Sequence, residues 1–168
     1  MKPLQIRPAT VADCDPLSHI ACRTFALACP ASTPALEIAR HIEAQLQPVH
    51  FRELLQQPGK ILLVLELDQQ LIGYSLLTPE PGPVGVEAAD AAQEFTRCYV
   101  VPEQHGSGAA GFLMSESLKY LAGPVRLSVS EENPRAIRFY ERQGFRIVGQ
   151  TTFQCGNDVQ RDWLMLKP

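Results

Sequence analysis

Two apolar runs, ILLVLEL over residues 61–67 and LIGYSLLT over residues 71–78, are separated only by Asp68-Gln69-Gln70. Both are rich in leucine, β-branched and aromatic residues, which suit strands. So short a gap admits a hairpin and no crossover helix, because a parallel connection needs a dozen residues or more. The pair is therefore antiparallel, and a sheet that contains it is not an all-parallel doubly wound one.

The rest of the pattern is built around this hairpin. QIRPA supplies a short strand over 5–7, and Thr10 caps a helix running to about residue 27. A break at 29–34 follows, then the helical stretches ALEIARHIEAQLQ and VHFRELLQQ, interrupted by Pro48 and stopped by Pro58-Gly59. A Pro/Gly-rich loop occupies 78–93, and its length points to a functional edge. EFTRCYVV, residues 94–101, is the next strand. Ala110, Leu113, Met114, Leu118 and Leu121 then recur at helical spacing. VRLSVSE is a strand, Asn133-Pro134 opens a helix that Gly144 closes, and FRIVGQTTF and RDWLMLKP are two final strands around CGNDVQ. The expected class is α+β, with a mixed, mostly antiparallel sheet of about seven strands flanked by helices. At 168 residues the chain is one domain, 1–168, large enough to bury a core without staples.

Composition removes several functions. A net charge of −3 argues against bulk binding to nucleic acid. No apolar run reaches membrane-span length, and MKPLQIRPATVADCD lacks the apolar core of a signal peptide, so the expectation is a cytoplasmic protein without membrane attachment. The five cysteines are scattered, without C-x-x-C, which suits free thiols, and the four histidines show no metal-ligand spacing.

Residues 106–111, GSGAAG, spell the dinucleotide fingerprint G-x-G-x-x-G, with Glu131 and Glu132 where a ribose-binding acid would stand. A nicotinamide site needs the first glycine directly at a strand end, yet residues 102–105 intervene. Only 36 residues (168 − 132) follow Glu132, too few to finish a dinucleotide fold. A Walker-type loop fails because Gly108 is followed by Ala109-Ala110 and no Lys-Ser or Lys-Thr. What remains is a glycine loop feeding a helix N-terminus, where backbone N–H groups converge on an anion. A pyrophosphate without Mg²⁺ fits such a loop, and coenzyme A carries one.

CYVVPEQHGSGAAGFLM followed by NPRAIRFYERQGFRIVG resembles the GCN5-related N-acetyltransferase (GNAT) superfamily over essentially the whole chain. The family's Gln/Arg-x-x-Gly-x-Gly/Ala loop falls on His105, Gly106, Ser107, Gly108, Ala109 and Ala110. Its Asn-x-x-Ala-x-x-Phe-Tyr segment falls on Asn133, Ala136, Phe139 and Tyr140, followed by Gly144-Phe145. One departure is His105 at a position the family fills with Gln or Arg. The resemblance implies acetyl-CoA as cosubstrate, no metal, and a cleft where the strand ending at Val101 and the strand 125–130 splay apart. A weaker resemblance, carried by Phe153, Gly156, Asp158, Gln160, Asp162 and Met165, points to a polyamine-acetyltransferase-like subgroup.

In such an enzyme Tyr140 would protonate the departing thiolate, and packing is the alternative role for its ring. Glu94, at the start of the central strand, is the expected base for the amine, with Glu131 and Glu132 behind it and a water chain as the alternative. Cys98 and Val100 lie on the strand whose backbone would pair with the pantetheine arm, and an N–H near Cys98 or Tyr99 would polarise the thioester carbonyl. Asn133 can cap its helix and also meet the cofactor arm. Arg135, Arg138 and Arg142 form a basic stripe whose ordinary fate is solvent. Phe25, Tyr74 and Trp163 are aromatics in apolar runs, more often core than pocket. A small-molecule amine is the expected partner, with a protein amine as the other option. The first helices and the 78–93 loop are the expected source of acceptor specificity. Pairing of the final strands between two chains leaves a homodimer open. A non-catalytic acyl-CoA-binding regulatory domain stays as the alternative, and an NAD-binding oxidoreductase as a remote one.

Overall fold

The computed structural model describes residues 3–168. Its strands are β1 (Gln5–Pro8), β2 (Ile61–Leu67), β3 (Gln70–Thr78), β4 (Gln93–Val100), β5 (Val125–Ser130), β6 (Arg146–Cys155) and β7 (Asp158–Lys167). Its helices are α1 (Cys14–Ala28), α2 (Ala35–Gln45), α3 (Pro48–Gln56), α4 (Glu87–Asp90), α5 (Ala109–Leu118) and α6 (Pro134–Arg142). The seven strands form one sheet in the order β1-β2-β3-β4-β5-β7-β6. Every neighbouring pair is antiparallel except β4 and β5. This is the expected α+β class.

The β2–β3 hairpin closes through Asp68 (φ 55°) and Gln69 (φ 66°), two left-handed residues that match the twist of a tight hairpin. Two adjacent pairs in its strands, Leu63–Val64 and Leu76–Leu77, send their side chains into opposite cores. Val64 and Leu76 join Leu17, Ile20 and Phe51 on one face. Leu63 and Leu77 join Phe95, Met114 and Met165 on the other. A sheet covered on both faces explains why these runs read as continuously apolar rather than alternating.

Three local details differ from the sequence expectation. Thr10 begins a tight turn over Val11–Asp13 and α1 starts at Cys14, because Arg7 holds Asp13 at 2.8 and 3.0 Å while Thr10 N–H donates to the same carboxylate at 2.7 Å. Pro48 opens α3 at its first position instead of interrupting a longer helix, since its missing N–H costs nothing there. The 78–93 loop contains α4 and is fastened at two points. The Asp90 carboxylate accepts N–H bonds from Val84, Gly85 and Val86 at 2.8, 2.8 and 3.2 Å. Buried Arg126 donates to the carbonyls of Ala89 and Gly82 at 3.1 and 2.8 Å.

The feature that positions the site is the β4–β5 junction. The two strands pair only at Gln93–Val125 and Glu94–Arg126. Beyond that point β5 stays paired to β7 through Ser130, while β4 stays paired to β3. On the β3 side, Leu76 opposes Arg97 and Leu77 opposes Phe95, so Thr96 is a bulge residue that bends β4 where the strands part.

Candidate active site

A cleft of about 780 Å³ opens where β4 and β5 separate. Its walls are β4 from Phe95 to Val100 and β5 from Leu127 to Ser130. One end meets the glycine loop and α6, and the other meets the end of α1 together with β6 and β7. From Phe95 onward, β4 has no strand partner on its β5 side. Its backbone amides there are free to pair with an extended polar chain, as a missing strand would.

At the loop end, Gly106 (φ 81°) and Gly108 (φ 90°) are left-handed, and Gly108 is the N-cap of α5. These two positions need glycine for their backbone conformation and not for space, since an added Cβ would meet nothing within 4 Å. The turn brings the loop amides toward the N-terminus of α5, where the helix dipole favours an anion. Ser107 Oγ donates to the Gln104 carbonyl at 2.7 Å and accepts from Ala109 N–H at 3.3 Å, which fixes the loop shape.

His105 has its own device. Its Nε2 lies 3.0 Å from the Val100 carbonyl, and its Nδ1 lies 3.0 Å from Arg135 Nη1. A carbonyl can only accept and a guanidinium can only donate, so the ring is held in the Nε2–H tautomer. Arg135 thereby stands beside the loop as a cation. Reading the sequence left Arg135 in a solvated stripe, and only the tertiary approach of α6 reveals its place. Asn133 caps α6, its Oδ1 accepting from Ala136 N–H at 3.1 Å, and also lines the cleft.

Tyr140 and Cys98 both line the cleft. Burial holds the Tyr140 hydroxyl well above the usual tyrosine range, with Cys98 and Tyr99 adding to the effect. The hydroxyl is therefore protonated at neutral pH, the state a general acid needs. Burial pushes the Cys98 thiol up to about 12, so it is no thiolate nucleophile. Tyr99 is likewise pushed up to about 12 by burial.

The far end is built from side chains of separate elements. Phe25 stacks on His41 with ring centroids 4.3 Å apart, and Phe153 closes on both at 6.1 and 5.3 Å. Phe25 and Phe153 line the cleft, and so do Arg97 and Asp162. Asp162 is only 6% exposed. Its pKa is pushed up to about 6, first by burial and then by the negative charge of Glu131, against a hydrogen bond from Ser128. A carboxyl titrating near 6 is a workable base at neutral pH.

Glu94 does not meet the expectation placed on it. It sits at the closed end, before the strands part, and is absent from the cleft wall. Its carboxylate takes Arg126 Nε at 3.1 Å and Thr96 Oγ1 at 3.3 Å. The 78–93 loop also contributes no residue to the wall. Tyr74 is a core residue at 1% exposure, and Trp163 packs against the second core cluster. Among the described residues no group of three or more His, Cys, Asp or Glu could hold a metal ion, and no helix is long and apolar enough to cross a membrane.

Comparison with known proteins agrees with this geometry. Residues 24–145 match the acetyltransferase (GNAT) family. An uncharacterised N-acetyltransferase of Mycobacterium tuberculosis (strain ATCC 25618 / H37Rv) is 35% identical over 159 residues, covering 92% of this chain and 97% of the relative. The PaiA N-acetyltransferase of Thermoplasma acidophilum, solved with coenzyme A, superposes with a TM-score of 0.76 at 18% identity, covering 98% of each chain. A spermidine N-acetyltransferase SpeG chimera from Vibrio cholerae and hSSAT superposes with a TM-score of 0.69 at 20% identity, covering 98% of this chain and 94% of the other.

Proposed function

The chain belongs to the acetyltransferase (GNAT) family, and on that premise we propose that it moves the acetyl group of acetyl-CoA directly onto a primary amine of a small molecule. The observation that carries this reading is the two-pair β4–β5 junction, which leaves one edge of β4 open along a cleft that Tyr140 also lines. In this reading the loop His105–Ala110, helped by Arg135, takes the pyrophosphate. The open edge of β4, with Cys98 and Val100, pairs with the pantetheine amides, and Asn133 borders the same arm. A β4 N–H near Cys98 or Tyr99 polarises the thioester carbonyl.

Asp162, directly or through one water, takes the proton of the incoming ammonium. The free amine attacks the carbonyl carbon, and the tetrahedral intermediate collapses with loss of the CoA thiolate. Tyr140 protonates that sulfur. A protonated tyrosine and an ionisable carboxyl in one cleft support a transferase over a domain that only binds acyl-CoA. The topology, with a single parallel pair, removes the dinucleotide reading of GSGAAG. The test is release of free thiol from acetyl-CoA with a panel of small amines. Amine-dependent release is expected, and acetyl-CoA binding without release to any amine would remove the catalytic reading.

A further inference from the structure

We infer that the acceptor is an amine that also carries a carboxylate, an amino-acid-type molecule, and that Arg97 is the residue that receives this carboxylate. The inference rests on the acetyl-transfer reading and narrows its substrate class.

Arg97 lines the cleft two residues before Tyr99 on β4. That spacing puts the two side chains on one face of the strand, about 7 Å apart along it. Among the described residues Arg97 takes part in no ion pair. Its Nη1 is enclosed and has no hydrogen-bond partner. Three groups that its charge reaches, Tyr74, Tyr99 and His41, are uncharged at neutral pH. The Tyr74 hydroxyl lies against the guanidinium, and Tyr99 is close enough to feel its charge. His41 is held below its usual pKa by burial first and by Arg97 second. Arg97 is half-buried, and an enclosed guanidinium nitrogen without a counter-ion is costly to keep, while the planar fork matches a carboxylate. A ligand carboxylate would supply the compensation that the protein withholds.

Asp162 does not supply it. No ion pair joins the two residues, and the groups that act on Asp162 are Glu131 and Ser128. Yet Tyr99 feels both the positive charge of Arg97 and the negative charge of Asp162. The acceptor end therefore offers a separated plus and minus with a tyrosine near both. A molecule bearing an ammonium and a carboxylate answers both charges. Its amine would then meet Asp162, the group assigned to deprotonate it, and its substituent would face the apolar wall of Phe25 and Phe153. A polyamine satisfies Asp162 but brings further ammonium groups toward an unpaired cation. A peptide N-terminus brings an amine with no carboxylate nearby.

The experiment measures thiol release from acetyl-CoA with neutral amino acids, the same amino acids as carboxamides, phosphoethanolamine and spermidine. The expected result is a kcat/KM on the order of tenfold or more higher for the acids than for their amides, the effect of one charge-assisted contact. Arg97→Gln is expected to raise the KM for the acids about tenfold and to remove the preference, with Arg97→Lys restoring part of it. Equal losses for acids and amides in Arg97→Gln would mark a merely structural role and overturn the inference. Preference for spermidine, the amides or phosphoethanolamine would also overturn it, and acetyl transfer would still stand. If no amine releases thiol, the transfer reading falls. Calorimetric titration of amino acids into the CoA-saturated protein then decides the inference separately: saturable heat that Arg97→Gln abolishes supports it, and no heat overturns it.

Discussion

The two ends of the cleft are made in different ways. The end we assign to the donor is largely backbone: one continuous segment, His105–Ala110, turns through two left-handed glycines into the start of α5. The end we assign to the acceptor is built from side chains of separate elements: Phe25 from α1, Arg97 from β4, Phe153 from β6 and Asp162 from β7. Recognition through backbone amides demands a particular chain path, and a particular path demands glycine at fixed spacing. Recognition through side chains demands only that distant elements pack, which leaves no local spacing to read. A chain of this kind can keep its donor and change its acceptor with a few substitutions at scattered positions.

Substitutions that separate the two ends sharpen this contrast. The largest effect is expected for Tyr140→Phe, with kcat lower by on the order of a hundredfold or more and acetyl-CoA affinity unchanged. Steady-state kinetics with a parallel binding titration checks it, and unchanged turnover would take Tyr140 out of the chemistry. Asp162→Asn is expected to lower kcat/KM at pH 7 by roughly tenfold to a hundredfold. In the unaltered enzyme kcat/KM is expected to rise as pH passes through about 6, the value at which Asp162 loses its proton, and the variant should lose that limb.

The same substitution is expected to stabilise the fold. A carboxyl raised from 3.8 to about 6 keeps its proton in the folded state while the unfolded chain releases it, so stability falls as pH climbs through that window. Removing the charge should therefore add roughly 1–2 kcal/mol at pH 7 and close to nothing near pH 4, as read by denaturant unfolding at both pH values. A variant that is both less active and less stable would assign Asp162 to structure instead.

Arg135→Ala touches only the donor end. Acetyl-CoA affinity should weaken about threefold to tenfold, in line with one partly screened charge contact, with kcat little altered. A change in acceptor KM instead would break the division between the ends. The smallest effect on activity belongs to Glu94→Gln, with turnover within about twofold of the starting enzyme. Its cost should appear in thermal stability, because Arg126 is 3% exposed and would lose its carboxylate partner. A loss of turnover matching that of Asp162→Asn would return the base role to Glu94.

The same division decides what the sequence could disclose. The hairpin, the glycine loop, the Asn133 cap and the segment that carries Tyr140 into the cleft were legible because each depends on residues close together in the chain. The insertion of β7 between β5 and β6 was not, since that pairing joins segments with no shared local signal. Asp162 stood in the C-terminal pattern without a role, because its burial and its closeness to Glu131 come only from packing. Arg97 stood in EFTRCYVV as one polar residue in a strand, and nothing local shows that it has no ion-pair partner among the described residues. Glu94 lies outside the cleft wall for a geometric reason the sequence does not show: the start of β4 is the closed end of the junction. The 78–93 loop was misjudged because its length serves α4 and the Arg126 anchor.

The most direct test of the division is calorimetric titration of acetyl-CoA, with NADH as control, into the unaltered protein and into Arg97→Gln, Asp162→Asn and Arg135→Ala. The expected result is saturable acetyl-CoA binding, no NADH binding, equal affinity in the two acceptor-end variants and weaker affinity in Arg135→Ala alone. NADH binding, or donor affinity that falls with Arg97 or Asp162 and not with Arg135, would contradict it.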